Sequence, residues 1–344
     1  MTTRAKATSL DIAHLAGVSQ PTVSRALRGS PSVSPETRRR ILAIARELNY
    51  KVDKNASNLR AEQSGTLALL FFEDPTPDDS LINPFFHSML GSITRACARR
   101  GYDLLVSFQQ LSTDWHADFA DSHKADGIIL LGYGDYLESQ SRLQQLVEQG
   151  TRFVRWGAAL PGEPGVSIGC DNFQGGHDIT AHLLESGCRR IAFLGHASGH
   201  YPEFRERWRG YEAALREAGI EPDPLLQADA ITTEQSGYEA ARSLLDAGRP
   251  FDGVFGASDL IALGAMKALR EAGLAIPGDV AVAGFDDIAM ASFAQPPLST
   301  VQQDTKLAGE VLVESLIRLV QREPVESRRL PVRLVLRESS RRPG

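Results

Sequence analysis

Apolar residues recur at helical spacing in three short segments of residues 1–50. The first segment ends at Gly17, which permits the positive φ of a tight turn, and Ser19 can cap the second. Ser34 followed by a proline is a typical start for the third. Three short helices with a tight turn between the first two predict a helix-turn-helix, a common DNA-binding domain, although small helical bundles without a DNA role share this pattern.

After residue 65 the pattern changes to short apolar runs that alternate with helical stretches. This alternation predicts parallel sheets covered by helices on both faces, and about 280 residues suit two doubly wound sheets better than one. Ligands of such sheets bind beyond the carboxyl ends of the strands, so we expect a cleft between the two sheets. The predicted strands are residues 66–72, 103–108, 127–131, 152–156, 190–195, 253–257 and 280–284. The predicted helices include residues 85–100, 137–149, 175–185, 205–218, 234–247 and 259–272.

Charge divides the chain in the same way. Residues 1–62 hold 11 Lys/Arg and 5 Asp/Glu, whereas the remaining residues hold 26 and 38. A basic head on an acidic body indicates that only the head meets a polyanion such as DNA. A solvated basic tail is the alternative, and the helical pattern of the head argues against it.

Composition excludes several other classes of protein. The 344 residues are 42% hydrophobic and 23% charged, which is typical of a globular protein with two or three domains. The three cysteines form no CxxC pair, so neither a disulfide scaffold nor a structural zinc site is expected. The chain has no membrane-length apolar run and no apolar leader at its start. We therefore expect a soluble, cytoplasmic protein.

Polar side chains that suit DNA gather at the start of the second predicted helix. Hydroxyl groups can hold phosphates, and glutamine and arginine can read base edges. The expected DNA-contacting residues of the head are Ser19, Gln20, Pro21, Thr22, Ser24 and Arg25.

The head also resembles the start of the lactose-repressor (LacI/GalR) family of bacterial transcription regulators. The resemblance lies in DIAHLAGVSQPTVSRAL at residues 11–27, and in Val33-Ser34 leading to a helix that ends Leu48-Asn49-Tyr50. It implies that residues 1–50 form the DNA-binding domain. It further implies that residues 51–65 form a hinge helix, in which Leu59 wedges into the minor groove beside the small residue Ala56. Three residues depart from the family pattern: Val52 and Asp53 stand where the family usually has Pro and Asn, and Ser57 stands where Arg is common.

The resemblance continues through the body. It rests on NPFF at 83–86, ADGIIL at 125–130, Asp171-Asn172 with Gly175, RRIAF at 189–193, Asp259 with ALGA at 262–265, and GFDD at 284–287. It implies a periplasmic-binding-protein-like effector domain over residues 66–344. The expected N-subdomain is about 66–168 and 304–322, and the expected C-subdomain is about 169–301 and 328–344. The chain would cross near 168 and 302, and a strand at 330–337 would return to the C-subdomain.

Two charged residues are the main effector candidates by this resemblance. Arg207 stands three residues before Gly210, where the family has an effector-binding arginine, although an exposed surface charge is the alternative from the residues alone. Asp286 follows an apolar run and offers two acceptors for sugar hydroxyls. Asp287 is expected to cap the following turn. The other effector candidates are Ser258, which replaces a common asparagine, and the aromatics Phe85 and Trp156. Trp208 is a third stacking candidate, with the alternative that it points away from the cleft because it stands next to Arg207 on the helix.

The leading hypothesis is a repressor of carbohydrate-utilisation genes, controlled by a sugar bound in the cleft. We expect a homodimer on a pseudo-palindromic operator. A purine or nucleoside is the alternative effector. A cytoplasmic solute-binding protein is the alternative function, but that class is expected to have no basic head, and this chain has one. The chain lacks phosphate-loop, zinc-protease and serine-hydrolase motifs, so we expect no enzyme, cofactor or metal site.

Overall fold

The computed structural model describes residues 7–27, 29–50, 64–72, 82–132 and 134–341. Two compact units make up the chain, Met1–Ser64 and Gly65–Gly344. The predicted hinge residues Ala56 and Leu59 lie outside the described residues. Among the described residues, none of the helices combines the length and the hydropathy that a membrane span requires.

The first unit contains three short helices around a small apolar core. They are α1 (Ser9–Ala16), α2 (Gln20–Leu27) and α3 (Pro35–Glu47). Thr8 caps α1 in a reciprocal capping box with Asp11, and Gly17 ends it at φ 62°. Ser34 caps α3 through the backbone N–H of Thr37. The core consists of Ile12, Ala13, Ala16, Val23, Ala26, Val33, Ile41 and Ala45. The predicted three-helix head is confirmed.

The first sheet of the second unit has six strands in the order β11-β5-β4-β3-β1-β2, all parallel. Its strands are β1 (Thr66–Phe71), β2 (Asp103–Phe108), β3 (Gly127–Leu131), β4 (Phe153–Trp156), β5 (Val166–Cys170) and β11 (Arg328–Leu330). Its helices are α4 (Pro84–Arg99), α5 (Tyr136–Glu148) and α11 (Thr305–Val320). A 3-10 turn at Gln109–Leu111 and a π-helical segment at His116–Asp121 follow β2, and the sequence did not predict them.

The second sheet also has six strands, in the order β12-β10-β9-β8-β6-β7. All pairs are parallel except β10 with β12, which is antiparallel. Its strands are β6 (Ile191–Leu194), β7 (Gln227–Ala228), β8 (Gly253–Gly256), β9 (Ala281–Asp286), β10 (Ser299–Gln303) and β12 (Val332–Val335). Its helices are α6 (Asn172–Glu185), α7 (Pro202–Glu217), α8 (Glu234–Asp246), α9 (Asp259–Glu271) and α10 (Ala289–Phe293), with 3-10 turns at Pro224–Leu226 and Glu338–Ser340.

The chain passes between the two sheets three times. The first passage follows β5, the second follows β10, and the third lies between β11 and β12. The first passage comes slightly later than the expected boundary at 168, because β5 extends to residue 170 in the first sheet. The expected strand at 330–337 that returns to the C-subdomain is present as β12, but its start differs, because residues 328–330 pair in the first sheet as β11 and residues 332–335 pair in the second sheet. Pro331 separates them, since a proline has no N–H to continue a strand ladder.

Candidate functional site

A cavity lies between the two sheets of the second unit, at the carboxyl ends of their strands. It encloses about 690 Å³ including its open mouth. Phe72 follows β1, Trp156 ends β4, Ser258 follows β8, and Asp286 and Gln303 end β9 and β10. The other lining residues are Asn83, Phe85, Phe86, Gly132, Gly134, Tyr201, Glu203, Phe204, Arg207 and Thr232. This is the position that parallel sheets give to a ligand.

Arg207 is buried at the base of this cavity rather than exposed on a helix surface, with only 4% of its area accessible. Its Nε donates a 2.9 Å hydrogen bond to Asn172 Oδ1, and its Nη1 donates to the carbonyl of Ala257. The guanidinium lies over the ring of Phe285 at 3.7 Å from the ring centroid. Because these contacts hold the fork rigid, the remaining donor edge is preorganised for a ligand.

Asp286 faces Arg207 at the end of β9. Its Oδ1 lies 3.7 Å from Arg207 Nη1 and accepts a 2.6 Å hydrogen bond from Gln303 Nε2. Burial raises the pKa of Asp286 to about 6, and Arg207 and Gln303 partly oppose that rise. Its backbone has φ 122°, a region that a residue with a side chain rarely adopts. The fold therefore holds Asp286 at the cavity wall in a strained backbone conformation.

Asp259, the first residue of α9, is a second buried carboxyl group near Asp286. Its carboxylate is fully buried and accepts hydrogen bonds from Thr300 Oγ1 at 2.5 Å and from the Ile288 N–H at 2.9 Å. Burial and the charge of Asp286 raise the pKa of Asp259 well above its usual range. A Cβ on Gly284 would lie 2.3 Å from Asp259 Oδ1, so this approach requires glycine. Asp259 thus ties together β9, β10 and the turn after Asp286.

Ser258 has a contact beyond its predicted role, and the contacts of Asp287 differ from its predicted role. Ser258 lines the cavity, but its Oγ accepts the Ile261 N–H and caps α9. Asp287 does not cap the following turn as expected. Its two oxygens accept hydrogen bonds of 2.6 Å from Arg337 and Gln302, which join β10 to the C-terminal segment.

Aromatic side chains form both walls of the cavity. Phe85 and Trp156 come from the first-sheet side, with ring centroids 6.1 Å apart. Tyr201 directly precedes α7 and Phe204 lies in its first turn, and their rings stack with centroids 6.0 Å apart. Trp208, a third stacking candidate, is not among the lining residues and packs against Phe193. Aromatic rings with a few fixed polar groups are typical of a small-molecule pocket.

Several residues at the site were not among the sequence candidates. Gln303 and Glu203 line the cavity, whereas Asn172 is buried outside its lining and orients Arg207 by accepting its Nε hydrogen bond. Asn172 had a signal, because it stands in the quoted Asp171-Asn172 motif, whereas Gln303 and Glu203 had none. Within the described ranges, no group of three or more His, Cys, Asp or Glu is placed to hold a metal ion.

The head presents its predicted contact residues on the outside of α2. Val23 and Ala26 face the core, whereas Ser19, Pro21 and Arg25 are exposed. The partly buried residues of the set are Gln20, Thr22 and Ser24. Gln20 Nε2 donates to Ser9 Oγ at 3.1 Å, and the hydroxyls of Ser19 and Thr22 lie 2.9 Å apart. Five of these six residues lie in α2 and Ser19 directly precedes it, and none of the six is buried in the core of the head.

Comparisons with known proteins agree with both units. A family model described as "Bacterial regulatory proteins, lacI family" matches residues 8–53, and one for a periplasmic binding protein-like domain matches residues 180–340. The regulator CelR of Thermobifida fusca is 34% identical over 330 residues, with 94% of each chain covered. The ribose operon repressor of Escherichia coli K12 is 30% identical, covering 96% of this chain and 98% of the relative.

Solved structures are similar over nearly the whole chain. A CelR–cellobiose complex matches with a TM-score of 0.71 at 33% identity, covering 97% of this chain and 99% of that one. A lac repressor dimer bound to operator and an anti-inducer matches with a TM-score of 0.80 at 26% identity and the same coverage. The motifs of the head, the two parallel sheets and these full-length matches together show that the chain belongs to the lacI family of bacterial regulatory proteins.

Proposed function

We propose that this chain is a transcriptional repressor whose binding to operator DNA is controlled by a sugar in the cavity between the two sheets. The observation that carries the proposal is the rigid Arg207–Asp286 pair, which faces an aromatic cavity. A guanidinium fork and a carboxylate supply the donors and acceptors that fix hydroxyl groups. Relatives named for cellobiose and for the ribose operon support a sugar as the effector.

DNA binding is assigned to the head. Gln20, Pro21 and Arg25 would meet base edges, and Ser19, Thr22 and Ser24 would hold phosphates. We propose that the protein acts as a homodimer on a pseudo-palindromic operator in the cytoplasm, because operator symmetry mirrors protein symmetry. Residues 51–65 would form the hinge, with Leu59 as the wedge beside Ala56. The proposal includes no enzymatic step.

The effector would act by changing the relative orientation of the two sheets. Its contacts come from both sides of the cleft, so it binds most tightly to one arrangement of the two walls. A ligand with unequal affinity for two arrangements shifts the population between them. The hinges would transmit this shift to the two heads of the dimer.

A gel shift with the chain's own upstream DNA tests the whole proposal. We expect specific binding that weakens steeply as salt rises, because phosphate contacts release counterions. We also expect one compound from a panel of sugars and nucleosides to change the affinity. Failure to bind any fragment of a genomic library would overturn the proposal, and a response to a nucleoside alone would change the effector class.

Replacing Arg25 with alanine is expected to weaken operator binding by about 10- to 100-fold, because a base contact of this kind contributes roughly 1–3 kcal/mol. The matched control is Arg40→Ala, which removes an exposed arginine from α3. The control should reduce binding to operator and to random DNA by the same factor. Gel shifts on both DNAs measure the ratio of the two affinities. An unchanged ratio for Arg25→Ala would show that Arg25 reads no base.

Effector affinity is expected to depend on pH through Asp286. The pKa of this carboxyl is about 6, so below that pH it becomes protonated and loses an acceptor for sugar hydroxyls. Affinity should therefore fall about tenfold between about pH 7.5 and about pH 5. Calorimetric titration of the effector identified in the gel shift measures this change. Asp286→Asn should bind weakly and without the pH dependence, and a parallel fall in this variant would assign the effect to another group.

A further inference from the structure

Gln303 is a cavity residue whose amide has one hydrogen-bonded end and one end without a partner. It is the last residue of β10, it lines the cavity, and 4% of its area is exposed. Its Nε2 donates a 2.6 Å hydrogen bond to Asp286 Oδ1. Its Oε1 is buried and has no hydrogen-bond partner among the described residues. A buried amide oxygen without a donor is uncommon in folded proteins, so this atom requires an explanation.

The charge of Asp286 fixes the orientation of this amide. The pKa of Asp286 is about 6, so at neutral pH its carboxylate only accepts hydrogen bonds. The amide nitrogen of Gln303 must therefore face Asp286, because turning the amide over would bring two acceptor oxygens together. The amide oxygen consequently needs a donor from elsewhere. Since Gln303 lines the cavity, a bound ligand can supply that donor.

Two acceptors and one donor group stand together at this wall of the cavity. Arg207 supplies donors, and the Asp286 carboxylate and Gln303 Oε1 supply the acceptors. The two acceptors are neighbours, because Gln303 and Asp286 are hydrogen-bonded to each other. A sugar hydroxyl carries one hydrogen, so it donates to one acceptor at a time. A ligand that satisfies both acceptors therefore needs two donor groups close together, as on adjacent carbons of a sugar ring.

We propose that Gln303 is a specificity-determining residue, which accepts a hydrogen bond from the effector and makes the cleft select sugars with two adjacent free hydroxyl groups. The inference rests on the proposed function, in which a sugar is the effector. A sugar that lacks one of these hydroxyls would fill the cavity and leave Oε1 buried without a donor. An unpaired buried acceptor of this kind is costly enough to weaken binding about tenfold or more.

The test compares sugars that differ at a single hydroxyl group. Glucose, galactose, ribose and cellobiose are titrated by calorimetry, and the sugar that binds most tightly is the parent. Its deoxy, deoxyfluoro and amino analogues at each ring position are then compared with it. Fluorine cannot donate a hydrogen bond, whereas an amino group can. At two adjacent positions we expect the deoxy and fluoro analogues to bind at least about tenfold more weakly than the parent, and the amino analogue to bind within about threefold.

The variant Gln303→Met keeps the length of the side chain and removes the amide. It should abolish the donor requirement at one of the two positions, where the deoxy analogue should now bind within about threefold of the parent. The requirement at the other position should remain, because Asp286 still faces Arg207. Melting curves check that the variant folds. If it does not fold, the number of required positions in the wild-type series decides.

Gln302→Met is the matched control on the same strand. Gln302 Nε2 donates to Asp287, and its Oε1 accepts from Arg333. Gln302 is not among the lining residues of the cavity. The control therefore removes an amide with two hydrogen bonds from β10 without touching the ligand. It should leave every ratio between parent and analogue unchanged.

The outcomes separate this inference from the function on which it rests. Equal affinities for all analogues, a donor requirement at one position alone, unchanged ratios in Gln303→Met, or no binding of any of the four sugars would each overturn the role of Gln303. An equal loss for the parent and all analogues in this variant would also overturn it, because the amide would then only support Asp286. Operator binding is measured separately by gel shift, and its absence in the wild-type protein would overturn the proposed function instead.

Discussion

Replacing Arg207 with alanine is expected to abolish the response of operator binding to the effector while leaving operator binding itself intact. The substitution removes the donor fork and leaves Asp286 and the Asn172 amide oxygen without their buried partner. Breaking a buried ion pair by removing one member costs about 3 kcal/mol or more of stability. Effector affinity should fall at least about 30-fold, since a truncated buried arginine typically costs about 2 kcal/mol or more of binding free energy.

The pH dependence of the stability lost in Arg207→Ala identifies the cause of that loss. Asp286 has a raised pKa, so its ionised form destabilises the folded protein, and this cost appears as pH rises through about 6. Without Arg207 to offset the carboxylate, the destabilisation should be larger at about pH 8 than at about pH 5, where the group is protonated. Thermal unfolding at both pH values measures the change.

Two further variants control the Arg207 experiment. Arg205→Ala removes an exposed arginine from the same helix and should leave stability and effector response unchanged. The double variant Arg207→Ala with Asp286→Asn should recover part of the stability, because it buries no unpaired charge. No recovery in the double variant would show that lost packing against Phe285, rather than charge, accounts for the effect.

Replacing Gly264 with alanine is expected to destabilise the second unit by about 3 kcal/mol and to lower its melting temperature by about 5–10 °C. Gly264 lies where α9 crosses α8. A Cβ at this position would lie 1.9 Å from the Glu234 carbonyl oxygen and 2.7 Å from the Tyr238 backbone nitrogen. Both neighbours are backbone atoms, so no side-chain rotation can relieve the clash, and the two helices must move apart.

Gly91→Ala is the matched control for Gly264→Ala. Gly91 is an exposed residue inside α4, and a Cβ there has no neighbour within 4 Å. This variant should be stabilised by up to about 1 kcal/mol, because alanine loses less backbone entropy than glycine in a helix. Melting curves followed by circular dichroism compare the two. Equal shifts in both would contradict the helix-crossing explanation.

Most of the architecture was encoded in local patterns. The caps at Thr8 and Ser34 and the turn at Gly17 predicted the head, because capping and positive φ depend on a few neighbouring residues. Continuous apolar runs predicted the central strands, because parallel strands are buried on both faces. Strand β10 was missed. Its residues, STVQQ, look polar. The strand is buried between β9 and β12, and hydrogen bonds from Thr300 to Asp259 and from Gln303 to Asp286 satisfy its polar side chains.

The residues of the candidate site also fall into those that the sequence identified and those that only the folded structure identified. The sequence by itself determined the family, the polar surface of α2 and the two charged residues of the cavity, since each stands in a short recognisable motif. Only the tertiary structure decided that Arg207 is buried against Asp286, that Asp287 bonds to Arg337 and Gln302, and that Glu203 lies in the cleft. These contacts join residues that are far apart in the chain. A local sequence pattern cannot predict them, because they depend on how the two sheets fold and pack.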